Sequence, residues 1–283
     1  MLLIYEKRYQ MINMGKIVGA GCTSHAPQLS KKEIKYSTIY AEQVMKIRNG
    51  IERLWKRISE NNPDSLIIFY PDHIEQFFLN NFPSINIIVD KETEAYVPGY
   101  GNIKFKVNYE LAKDILFGLT ENGFDPSFSQ RIQIPHPVYV PLLFMFKDTQ
   151  LPIVPIHVNA NVDPKVHPKR ALELGKVISK IIATKRPNTE KIAVLGTGGL
   201  SHYPGTPYYG KIDVDTDDKI LYILREGKGE TLAEFTPVQL EETGNVELRT
   251  WISAIGVIGN KQAEVIERQV TYHIDYAVVG FLI

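Results

Sequence analysis

The chain has 283 residues, 44% of them hydrophobic and 23% charged, proportions that exclude wholesale disorder. Its 32 Lys and Arg balance 32 Asp and Glu, so no global field draws nucleic acid or an anionic membrane surface to it. The single cysteine, Cys22, excludes an intrachain disulfide and a thiolate zinc cluster, and no apolar run is long enough to span a bilayer.

These features point to a soluble, cytoplasmic protein that works on small molecules or offers a protein-binding surface. The opening residues carry only a four-residue apolar run, too short for a signal sequence. Residues 1–14 precede the first strand and read as an N-terminal extension, with Met14 a candidate alternative start. The remainder, 15–283, contains no repeat, low-complexity tract or linker and reads as one domain.

Lys16–Cys22 is the first expected strand, ending in Thr23-Ser24-His25-Ala26-Pro27, where proline discourages a helix. A helix is predicted from Ser37 to Ser59, its apolar stripe formed by Ile39, Val44, Met45, Ile51, Leu54, Trp55 and Ile58. Ser65–Tyr70 is a continuous apolar strand that ends in Pro71-Asp72-His73. An aromatic loop at Phe77–Phe82 leads to a strand at Ile85–Val89, then a short strand at Ile103–Val107 and a helix over Tyr109–Asn122. Phe128–Ile134 reads as a strand ending in Pro135-His136-Pro137, and Tyr139–Phe146 as a buried helix opening at Pro141.

Pro152–Val158 is the next strand and Pro168–Ala183 an amphipathic helix. Lys191–Leu195 is a buried strand that breaks into Gly196, Thr197, Gly198 and Gly199 and delivers His202. Helices follow at Asp213–Arg225, from Thr236-Pro237 to Gly244, and at Val246–Ile258, with a final strand at Tyr276–Ile283. Alternation of buried strands and helices predicts an α/β fold: a mixed, mainly parallel sheet covered by helices on both faces, with its site at the strand C-terminal ends.

Only seven histidines exist, and His25, His73, His136 and His202 are each predicted to follow a strand directly, where parallel strand ends converge. One loop histidine signifies little, but four in equivalent positions favour a site. Neutral imidazoles suit zinc, iron, copper or nickel, and two with one carboxylate leave coordination positions open. Glu247 is a candidate carboxylate because it opens a helix, whose positive end favours its ionised form.

Together TSHAP at 23–27, PDH at 71–73, HPVYVPL at 136–142, GTGGLSH at 196–202 and VELRTW at 246–251 resemble the class III extradiol ring-cleavage dioxygenases. That family includes the protocatechuate 4,5-dioxygenase catalytic subunit and the dihydroxyphenylpropionate dioxygenases. The match runs in order from about Lys16 to Ile258. It implies that His25, His73 and Glu247 hold Fe(II), that His202 is the acid/base residue, and that His136 orients substrate or oxygen. It also implies insertion of both atoms of O2 into a catechol or aminophenol ring, giving a muconic semialdehyde-type product. A homo-oligomer, with or without a small accessory subunit, accords with the family. One departure stands out: the family's usual Asp-His-Gly is here Pro135-His136-Pro137, which removes an acidic neighbour from His136.

Two other readings remain open: a phosphate-using hydrolase or phosphorylase built on the turn at Gly196–Gly199, and a metal-binding or interaction protein on the same scaffold without catalysis. The acidic run at Asp213, Asp215, Asp217 and Asp218 lacks the glycine and glutamate of a calcium loop and reads as a helix start. His157 and His167 receive no role, Asp72 is a candidate partner for His73, and Cys22 reads as a packed residue.

Overall fold

The computed structural model describes residues 15–34, 37–147 and 150–283; the expected N-terminal extension at 1–14 lies outside the described residues. In chain order the strands are β1 (Lys16–Thr23), β2 (Ser65–Tyr70), β3 (Ile85–Ile88), β4 (Glu92–Val97), β5 (Gly101–Lys106), β6 (Ser127–Ser129), β7 (Ile153–Val158), β8 (Lys191–Thr197), β9 (Ala263–Val270) and β10 (Asp275–Phe281). The α-helices are α1 (Thr38–Ser59), α2 (Tyr109–Glu121), α3 (His136–Met145), α4 (Pro168–Lys185), α5 (Val214–Arg225), α6 (Pro237–Glu242) and α7 (Leu248–Ile258).

Eight strands form one sheet in the order β6-β3-β7-β2-β8-β1-β10-β9. Its centre, β7-β2-β8-β1, is parallel throughout. These strands are aliphatic along their length because both faces are covered, and β2 is buried at every residue. Side chains alternate between two cores. Ile67, Phe69, Ile192 and Val194 face α2, α4, α5 and α7, whereas Leu66, Ile68, Ala193 and Leu195 face α1 and α3. The predicted α/β architecture is the observed one, and no helix among the described residues is long and apolar enough to cross a membrane.

Several local expectations change. Antiparallel β9, which sequence reading missed, pairs with β10 at the sheet edge; its mostly half-buried residues lack a clear apolar period. The strand expected at Ile103–Val107 is β5, paired with the unforeseen β4 in a separate hairpin. The expected Phe128–Ile134 strand shrinks to β6, so His136 follows no strand and instead opens α3, with Pro141 inside that helix. In α1, Ile39 is 71% and Met45 48% exposed; the buried face runs through Tyr40, Val44, Ile47, Ile51, Leu54 and Ile58. Cys22 is fully buried in β1.

Close backbone approach brings α7 to the sheet. A Cβ on Gly198 would lie 2.9 Å from both the Glu247 carbonyl oxygen and Thr250 Oγ1, so glycine is what allows the start of α7 to sit on the end of β8. Gly175 of α4 and Gly256 of α7 play the same part where those helices cross: a Cβ on Gly256 would meet the Leu172 carbonyl oxygen at 2.4 Å.

Candidate active site

Three neighbouring parallel strands, β2, β8 and β1, end beside one another. His25 follows β1, His73 follows β2, and the loop after β8 carries Gly199 and His202. Glu247 comes from the opposite direction, at the residue preceding α7. Its Oε2 accepts a hydrogen bond from the Gly199 amide at 3.0 Å, which aims the carboxylate at the strand ends.

The donor atoms converge. His25 Nε2 and His73 Nε2 are 3.2 Å apart, His73 Nε2 is 3.0 Å from Glu247 Oε1, and His25 Nε2 is 3.6 Å from Glu247 Oε2. Glu247 Oε1 is buried and has no aligned hydrogen-bond partner. Two ligands each about 2.1 Å from one ion and at right angles to it are about 3.0 Å apart, so these donors fit one face of a metal's coordination shell. Burial disfavours the charge on Glu247, but His25, His202 and His73 outweigh it and hold its carboxyl well below the usual range. Burial holds His25 well below an ordinary imidazole, despite Glu247. For His73 burial acts in the same sense, but the nearby Glu247 carboxylate outweighs it and the pKa rises. His136 adds a third imidazole, with a ring nitrogen within 4.8 Å of those of His25 and His73.

His202 is 8% exposed, and its Nδ1 lies 2.9 Å from the Leu200 carbonyl oxygen. A carbonyl can only accept, so Nδ1 carries a proton, which leaves Nε2, 3.7 Å from Glu247 Oε2, as the ring nitrogen free to exchange one.

His136 recovers an acidic partner from elsewhere in the chain. Its Nδ1 donates to Glu75 Oε1 at 2.7 Å and its amide donates to Glu75 Oε2 at 3.1 Å. Burial pulls His136 down in pKa even so. Sequence reading missed Glu75, two residues beyond His73. The intervening Ile74 has φ of +61°, a conformation that β-branched residues rarely adopt. Asp72 makes no hydrogen bond to His73; its two carboxylate oxygens accept the Gln76 and Phe77 amides, each at 3.1 Å, and so tie down this turn.

A cavity of about 230 Å³ contains this arrangement, lined by His25, His73, His136, His202 and Glu247 together with Gln28, Tyr209, His273 and Ile274. It is smaller than the roughly 300–1,000 Å³ of pockets that enclose drug-sized ligands, a size suited to a single ring. His273 and Gln28 also escaped sequence reading; no strand was expected before His273. The two histidines given no role have structural ones: His157 Nε2 donates to the Pro83 carbonyl oxygen at 3.1 Å, and His167 caps α4 by accepting the Lys169 amide at 3.2 Å. Asp213 caps α5 by accepting the Thr216 amide at 3.0 Å, as the helix-start reading expects.

An α/β sheet carrying histidines and a carboxylate at its parallel strand ends agrees with the resemblance of the sequence motifs to a ring-opening dioxygenase family. The chain belongs to that family: residues 19–281 match the catalytic LigB subunit of aromatic ring-opening dioxygenase. It is 28% identical over 202 residues to 2,3-dihydroxyphenylpropionate/2,3-dihydroxicinnamic acid 1,2-dioxygenase of Photorhabdus laumondii, a match covering 71% of this chain and 61% of that protein. A protein of the same name from Escherichia coli is 27% identical over 204 residues, with the same two coverages. The chain thus spans about three fifths of the length of these relatives. In fold it resembles the crystal structure of uncharacterized protein JW3007 from Escherichia coli, with a TM-score of 0.59 at 12% identity, covering 93% of this chain and 99% of the other.

Proposed function

We propose that the protein is an Fe(II)-dependent extradiol dioxygenase that opens a catechol-type or aminophenol ring to a muconic semialdehyde-type product. The observation that carries this reading is the convergence of His25 Nε2, His73 Nε2 and Glu247 oxygens at 3.0–3.6 Å inside a ring-sized cavity. Two imidazoles and one carboxylate are the donor set of non-haem Fe(II) oxygenases and leave positions for two further ligands. When bound, the iron supplies a common centre for the substrate's adjacent oxygens and for O2, together with the electron transfer between them.

The chain's own residues do the rest. With Nδ1 committed to Leu200, His202 exchanges protons through Nε2: it takes one from a ring hydroxyl and returns it to the opened product. The Leu200 carbonyl stays with Nδ1–H throughout, so the ring keeps its aim in both protonation states. His136, fixed by Glu75 at both its amide and its Nδ1, presents Nε2 to the reactants. Gly199 holds Glu247 in register by its amide. Membership in a ring-opening dioxygenase family supports this over a phosphate-using hydrolase.

The test is anaerobic loading with Fe(II), followed by oxygen uptake and near-ultraviolet absorbance with catechol, protocatechuate, gallate and 2-aminophenol. One O2 per ring and a new absorbance band are expected. His202→Phe should keep its iron and lose about 100- to 10,000-fold in turnover, the range of general acid–base catalysis. His25→Ala and Glu247→Ala should lose the iron itself. A fully iron-loaded wild-type protein that consumes none of these compounds would refute the proposal. His136→Ala separates the donor sets: retained iron supports the two-histidine, one-carboxylate set, and lost iron favours the three-histidine one.

A further inference from the structure

Inside the cavity, beside the converging donors, polar atoms of two further side chains lack a hydrogen-bond partner. His273 is 3% exposed, and neither its Nδ1 nor its Nε2 has a hydrogen-bond partner. Gln28 Oε1 is buried and unpartnered too. Buried polar atoms are ordinarily satisfied, and both of these residues line the same cavity as His202 and Glu247.

We propose that this cavity selects a ring bearing an uncharged hydrogen-bonding substituent, with His273 and Gln28 as its partners, over a ring bearing a carboxylate. The inference builds on the reading of the cavity as a catechol-type site. A neutral imidazole offers one N–H and one lone pair, and an amide oxygen accepts. A hydroxyl accepts from the imidazole N–H and donates its one proton to Gln28 Oε1 or to the imidazole lone pair; a carboxylate accepts from the N–H but has no proton for either acceptor.

Charge argues the same way. Among the described residues no lysine or arginine lines the cavity, and Glu247 does. His273 cannot act as the missing cation near neutral pH, because burial, and secondarily the nearby His202, lowers its pKa to about 4. With bound Fe(II) already facing Glu247 and the substrate's ring oxygens, a carboxylate placed here would be stripped of water with no cationic side chain of its own to pair with. Lys165 and Lys211 line an adjoining cleft rather than the cavity. Lys165 is already paired with Asp163 at 3.2 Å and Glu241 at 3.0 Å, and Lys211 sits against the Tyr203 ring and the Glu242 carbonyl.

The imidazole is held in place before any ligand arrives. His273 occupies the turn between β9 and β10, which Thr271 closes by donating its hydroxyl to the Ile274 carbonyl at 2.7 Å. Tyr272 packs on the ring at a centroid distance of 4.1 Å, with Tyr209 at 5.7 Å. A positioned donor-acceptor pair makes specificity from hydrogen bonds that the wrong substituent leaves unmade.

The experiment is titration calorimetry on the Fe(II)-loaded protein without oxygen, at pH 7.5. The probes are catechol and its methyl, hydroxymethyl and carboxylate derivatives at ring positions 3 and 4. The hydroxymethyl compound is expected to bind at least tenfold more tightly than the carboxylate at one of those positions. In His273→Phe, and separately in Gln28→Leu, the hydroxymethyl-to-methyl affinity ratio should fall by about 3- to 10-fold, the size of one neutral hydrogen bond. His273→Asn should recover part of it. Tighter binding of the carboxylate at both positions, or an unchanged ratio in both variants, would overturn the substituent assignment alone. Failure of the wild-type protein to bind any catechol would overturn the catechol reading along with it.

Discussion

His136 takes its carboxylate partner from 61 residues away, and the pairing can be tested one atom at a time. Glu75→Gln keeps an acceptor for His136 Nδ1 and should cost turnover about tenfold or less, whereas Glu75→Leu should cost about 10- to 100-fold, the usual effect of losing such an outer partner. Steady-state kinetics at matched iron content decides it; a Leu variant as active as wild type would make the pair incidental. The histidines at 25, 73, 136 and 202 and Glu247 could be picked out from motifs, because each lies inside a short conspicuous string. Glu75 and His273 could not. What brings Glu75 to His136 is the turn through Ile74, and what brings His273 to the cavity is a hairpin whose first strand has no readable period.

Among elements, α7 is the one on which the site depends, since it carries Glu247 and is seated by glycines. Gly198→Ala forces a Cβ against the Glu247 carbonyl and Thr250 Oγ1. It should weaken iron retention and lower stability by about 1–3 kcal/mol, as overpacking does. Gly256→Ala presses α7 away from α4 and should cost a similar ~1–3 kcal/mol in denaturant unfolding. Unaltered iron content in the first variant would show that the helix can shift without moving Glu247. Elements with sustained patterns were legible: α1 from its repeating apolar face, whereas its cap, the Ser37 hydroxyl accepting the Tyr40 amide at 3.2 Å, came from the structure. The three-residue β6 was not, and the strand expected before His136 disappeared with it. Too few residues contribute there for a period to exist, and pairing with β3 alone defines the strand.

For the whole molecule, pH dependence of stability has an identifiable contributor. Asp217 is buried where α5 meets the loop of Ser201; its Oδ1 accepts the Ser201 amide at 3.1 Å and its Oδ2 the Ser201 hydroxyl at 2.5 Å. Burial foremost, and then the neighbouring Asp275, raises its pKa from 3.8 to about 8. The folded state therefore holds a proton that the unfolded state releases, and stability falls as pH rises from about 4 to about 8. His157, lowered by burial to about 3, acts in the opposite sense: stability is lost as pH falls from its unfolded value of 6.5 towards 3. Between about pH 6.5 and 8 the effect of Asp217 stands without that opposition. Asp217→Asn imitates the neutral carboxyl and should flatten the decline there, by on the order of 1–3 kcal/mol at pH 8.5. Denaturant midpoints across that range check this; parallel wild-type and variant curves would contradict it.

The amino-acid sequence by itself determined the α/β class, the two-faced covering of the sheet, and the strand ends that carry three of the four histidines. Buried parallel strands must be continuously apolar, and helices must show a stripe, so these properties are written locally. Tertiary structure alone decided that Glu247 meets His25 and His73 at bonding separations, that Glu75 replaces the missing acidic neighbour of His136, and that His273 and Gln28 face the cavity unpartnered. Each of those facts joins segments far apart in the chain through sheet order, a strained turn or a helix seated on glycine, and no local pattern encodes such a meeting.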